Sequence, residues 1–178
     1  MVLKYRVSLP GIKGFSRVYE VKDSTTLYHF HKQMRADMDF PQDQLVLFKG
    51  LDRDGAVVAR YGIFDLGAGT IDSVTIGNTI KKEIHSFVYF YDTTNVKSVI
   101  VTFDGEGEIR PNVIYPLLIE SKGPNPIEFE NGYIAFEDLP DDKKKPVSDD
   151  DIEDEDDLDD TDGDEDDAPE EIYDEDEE

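Results

Sequence analysis

The chain contains no cysteine. That excludes disulfides, thiolate catalysis and cysteine-ligated zinc or iron–sulfur sites. It also lacks any apolar run near the ~18 residues that mark a membrane-spanning helix. The opening MVLKYRVSLP, charged at Lys4 and Arg6, does not read as a signal peptide. A cytoplasmic protein with no membrane association is the expectation. The third absence is of base. From Asp149 to Glu178 there are 22 carboxylates and no Lys or Arg. The 178 residues carry 43 Asp and Glu against 18 Lys and Arg. The formal charge of −25 therefore divides into −22 on this segment and −3 on everything before it.

Charge segregated in this way narrows the partners. Direct nucleic-acid binding is not expected, because phosphate contacts need Lys and Arg, and an anionic bilayer repels the segment for the same reason. The expected partner is a protein with a basic surface. Divalent cations, or a basic patch on the chain's own domain, are the other options. Within the segment Ile152, Leu158, Ile172 and Tyr173 stand amid dense like charge. They bury too little to offset chain entropy, so disorder is expected there. The organisation that follows is a single α+β domain over 1–139, a linker over 140–148 and a disordered polyacidic tail over 149–178.

Before the tail, periodicity gives the elements. Leu3, Tyr5, Val7 and Leu9 alternate with Lys4, Arg6 and Ser8, the period of a half-buried strand. Pro10, Gly11 and Gly14 follow, and Phe15–Lys22 reads as the hairpin partner across a medium loop. Asp23 and Ser24 are the expected caps of a helix running to about Met38, with Leu27, Phe30, Met34 and Met38 as its apolar stripe. A buried strand is expected over 44–49 and a further extended segment over 56–61. Residues 62–77 are glycine-rich and give no clear element, and a single helical turn is expected over 78–84. Residues 86–92 and 99–103 carry large apolar groups on both faces, the pattern of a central hairpin covered on both sides. After Gly107 the prolines at 111, 116, 124 and 126 read as irregular chain, with Ile134 and Phe136 as the last buried side chains. The fold class expected is α+β: a mixed or antiparallel sheet with one main helix packed on it.

Two resemblances follow from these blocks. The order hairpin, helix, short strand over 3–50, with FPQDQLVLFKG after the helix, resembles the opening of a β-grasp (ubiquitin-like) fold. The diglycine terminus of a conjugating modifier is absent. More specifically, Thr26–His31 (TLYHFH), Phe87–Asp92 (FVYFYD), Val101–Glu106 (VTFDGE) and Tyr115–Pro126 (YPLLIESKGPNP) resemble the plasmid pRiA4b ORF-3-like family, in that family's order. Its aromatic YxYDFGD block reads Tyr89-Phe90-Tyr91-Asp92-Thr93-Thr94 here, without the Phe-Gly-Asp part. The resemblance implies an α+β fold and an association with mobile elements, and it implies no established activity.

Candidate chemistry is sparse. His31 lies beside the apolar stripe of the helix and matches the His of the family's Leu-His block. It is either a proton carrier or ligand near Tyr89, Tyr91 and Asp92, or a core-edge histidine with one hydrogen bond. His31, Tyr89, Tyr91 and Asp92 are the candidate ligand-binding residues, between the helix and the central hairpin. His29 and His85 read as surface residues. Asp92, Asp104, Glu106 and Glu108 either hold a hard cation or are solvated turn residues. In the tail, Asp160, Asp162, Asp164, Asp166 and Glu171 fall on EF-hand spacing, but Glu165 stands where that loop needs glycine. Lys143–Lys145, flanked by acids, reads as a charge-mixed linker. Lys4 and Arg6 point outward from the first strand, either as a docking face for the tail or as protection for an exposed strand. Dinucleotide, P-loop, GxSxG and HExxH patterns are absent. No cofactor or metal is expected, and a non-enzymatic interaction module is the leading reading. An enzyme or small-ligand binder using His31 is the rival. A tail that serves solubility alone is the third.

Overall fold

In the computed structural model residues 1–144 are described, and they form one compact unit. The expectation of disorder over 149–178, and the EF-hand spacing within it, lie outside the described residues.

The first strand, β1 (Val2–Leu9), pairs antiparallel with β2 (Ile12–Lys22). The turn between them is only Pro10–Gly11, with Leu9 opposite Ile12 and Gly11 at φ 76°. Proline presets the first turn position and glycine supplies the positive φ of the second. The hairpin therefore closes three residues earlier than a loop to Phe15 would allow.

Helix α1 (Leu27–Asp37) starts later than expected, capped by Thr26 and not by Asp23 or Ser24. Thr26 Oγ1 accepts the His29 backbone N–H at 3.3 Å. Asp23 and Thr25 are held elsewhere, since their carbonyls accept the N–H groups of Gly77 (2.8 Å) and Ile76 (2.9 Å). These belong to the short helix α2 (Ile76–Lys81), which starts with a Thr75/Asn78 capping box. Tertiary contact has overridden a good local cap.

The remaining strands are β3 (Leu47–Leu51), β4 (Val57–Gly62), β5 (Ser86–Asp92), β6 (Lys97–Gly107) and β7 (Leu117–Lys122). A third helix, α3 (Pro126–Glu130), follows β7. The seven strands of the described residues form one sheet in the order β4-β3-β5-β6-β1-β2-β7, and its strand pairings are antiparallel. The hairpin–helix–strand order of residues 2–51 is present, but β3 pairs with β4 and β5 and not with β1.

The core lies on one face of this sheet. Tyr5, Tyr19, Phe48, Phe87 and Tyr89 are buried there with Leu27, Phe30 and Met34 of α1. Phe30 sits between the rings of Tyr5 and Tyr19, at centroid distances of 5.8 and 5.6 Å. The central hairpin is covered on this face only. Val88, Phe90 and Ile100 on its other face are half-buried, and Lys49 Nζ lies 4.8 Å from the Phe90 ring centre. The expected double coverage fails because no helix packs behind these strands among the described residues.

The C-terminal part departs most from expectation. β7 is an ordered strand between Pro116 and Pro124, and it pairs along β2. Ile134 and Phe136 are exposed, and Ala135 between them is buried. Gly14 explains this. A Cβ there would lie 2.1 Å from that of Ala135, so the missing side chain makes Ala135's seat. Asp138 completes the anchor by accepting the N–H groups of Lys13 (2.7 Å) and Gly14 (2.9 Å). Gly14→Ala should cost about 1–3 kcal/mol through overpacking. Protection of the Lys13 and Gly14 amides in hydrogen exchange checks it, and is expected to fall.

The Tyr61 hydroxyl is buried with no hydrogen-bond partner among the described residues. An unpaired buried hydroxyl costs about 1–3 kcal/mol. Tyr61→Phe is therefore expected to raise the melting temperature, and a clear fall would mean that the hydroxyl is satisfied in solution.

Candidate functional site

His31 and Tyr89 meet beneath helix α1. The i,i+4 spacing on the helix puts His31 and Arg35 on the same face as Leu27, and all three are buried. From β5, Tyr89 rises into that face because alternate residues of the strand point to the core. His31 Nδ1 lies 2.8 Å from the Tyr89 hydroxyl, and Arg35 Nε donates to the same oxygen at 3.1 Å. Arg35 is a donor only, which leaves the Tyr89 O–H free to donate; the direction of the His31–Tyr89 bond follows the imidazole tautomer. Arg35 also donates through Nη2 to the carbonyl of Gln44 (2.9 Å), tying α1 to the segment before β3.

Burial, with the Arg35 and Lys32 charges beside it, pushes the His31 imidazole down to about 4. Burial raises the Tyr89 phenol to about 12. Both groups are neutral at pH 7. The folded pKa of His31 is below the ordinary ~6.5, so the unfolded chain takes up the proton first. Stability contributed by neutral His31 is whole above pH 6.5 and is lost as pH falls from 6.5 to 4. The loss is on the order of 2–3 kcal/mol at the acid end. His31→Gln, which does not titrate, should flatten this part of the stability–pH profile. An unchanged acid limb in urea titrations at pH 6.5, 5 and 4 would contradict it.

The other two candidates are committed elsewhere. The Tyr91 hydroxyl donates to Glu130 of α3 at 3.0 Å, and its ring stacks on Phe40 at 3.9 Å. The same Glu130 pairs with Lys97. The Asp92 carboxylate accepts from the backbone N–H (3.0 Å) and side-chain amide (2.7 Å) of Asn95, closing the β5–β6 turn. These bonds hold the carboxyl below its ordinary value, the Asn95 side chain contributing most. The structure therefore joins His31 to Tyr89, and places Tyr91 and Asp92 on separate bonds. Arg35 was missed in the sequence, and its only signal was the four-residue step from His31.

The remaining candidates are dispersed. His29 is exposed and His85 half-buried. Asp104 pairs with Arg6 at 2.9 Å, and Glu106 and Glu108 are exposed. Among the described residues no group of three or more His, Asp or Glu side chains is placed to hold a metal ion. No described helix is long and apolar enough to cross a membrane. Surface clefts of about 420 Å³ (Tyr28, Ile63, Ile71, Asp72) and about 230 Å³ (Leu45, Phe64, Leu66 and neighbours) lie beside β4.

Several charges of the body pair with one another. Arg6 reaches both Asp104 and Glu120, Arg110 pairs with the buried Glu20, and Lys122 with Glu137. Arg6 is thus no bare basic face, since Asp104 of β6 and Glu120 of β7 already meet it.

Comparison with known proteins adds the family and the fold. The family model described as "Plasmid pRiA4b ORF-3-like protein" matches residues 2–177. A protein of unknown function from Methanosarcina mazei Go1, known from a crystal structure, is 20% identical with a TM-score of 0.58. The match covers 67% of this chain and 68% of that one, and it is a likeness of fold. No curated protein matches.

Proposed function

We propose that this chain, which belongs to the plasmid pRiA4b ORF-3-like family, is a non-enzymatic protein-interaction module whose acidic C-terminal segment engages a basic surface on a partner protein. The observation that carries the reading is the division of charge. The body holds 21 acids against 18 bases up to Ser148, and its ion pairs join β1 to β6 and β7, β2 to the segment before β7, and β6 to α3. Residues 149–178 hold 22 carboxylates with no base among them. The uncompensated charge of the molecule is thus concentrated in one stretch. A solvated polyanion attracts basic surfaces over about a Debye length and speeds encounter with them. A cytoplasmic setting is part of the same proposal. The test is a paired pull-down from host lysate, full-length chain against residues 1–147, at low and moderate salt. Basic proteins recovered by the full chain and lost with the tail support the reading. Equal recovery by both leaves the tail as a solubility device and counts against it.

A second reading rests on the contact of His31 with Tyr89. A small-ligand binder or enzyme would use this neutral His–Tyr pair between α1 and β5, with Tyr91 and Asp92 nearby on the same strand. It requires a ligand-dependent rise in melting temperature that His31→Ala abolishes. A flat response across a small-molecule screen removes it.

A further inference from the structure

We draw no further inference here: the strongest candidate, the exposed apolar corner of Leu45, Ile63, Phe64 and Leu66 beside the edge strand β4, is an unpartnered surface, and nothing in the structure shows what covers it.

Discussion

Phe30→Ala should destabilise the body by about 3–5 kcal/mol, the cost of deleting a buried aromatic side chain and leaving its cavity. Phe30 is fully buried and lies between Tyr5 of β1 and Tyr19 of β2. Neither neighbour can collapse into the space without leaving its strand. A domain of this kind has about 5–15 kcal/mol in hand, so the loss is a large share of the total. At about 4 °C per kcal/mol, where the ranges for smaller and larger domains meet, the melting temperature should fall by about 12–20 °C. Tyr28→Ala, two residues earlier on the exposed side of α1, serves as the control and should cost far less. A Phe30→Ala cost below about 1 kcal/mol, typical of a surface position, would mean that α1 does not hold the sheet in the way described.

The second large effect is expected in binding. Removing residues 148–178 should weaken capture of a lysine- and arginine-rich peptide by roughly a hundredfold at low salt. The estimate takes about ten exposed charge pairs at about 0.3 kcal/mol each, which gives about 3 kcal/mol, or two decades of affinity. Raising the ionic strength to physiological levels shortens the Debye length to about 8 Å. Much of the full chain's advantage should then disappear. The body alone should bind weakly at both salt levels, because Arg6, Arg110, Lys97 and Lys122 already pair with acids and the net excess before residue 149 is small. Fluorescence anisotropy of a labelled peptide reads both chains directly.

Where the sequence was legible, one strong periodic signal acted alone. Leu3–Leu9 show the alternation of a half-buried strand, and Leu27, Phe30, Met34 and Met38 the step of a helix stripe; all of these helix residues are buried. Residues 86–92, apolar on both faces, read as a strand but not as one covered on a single face. The misses arose where a distant contact decided the outcome. Asp23 and Ser24 are good caps in isolation, but the docking of α2 holds Asp23 and Thr25 and shifts the start to Thr26. β7 was hidden because prolines bracket it, and a proline outside a strand limits its length without forbidding it. Ile134 and Phe136 read as core from their hydrophobicity alone. The absent Cβ of Gly14, more than a hundred residues away, instead selects Ala135. In the candidate site the sequence brings His31 near the Tyr89–Asp92 strand without choosing its partner there. Arg35 could not be placed there, because a buried arginine on a helix stripe looks like a surface residue until the carbonyl of Gln44 and the Tyr89 hydroxyl are in place to receive it.

Charge, and not chain length, is the central claim about the C-terminal segment. The most direct test keeps the full chain and replaces the Asp and Glu of residues 149–178 with Asn and Gln. Its affinity for the basic peptide is then measured beside that of the native chain at low salt. The account predicts that the neutralised chain binds as weakly as residues 1–147, with its salt dependence gone. Binding that stays at the native level would contradict it.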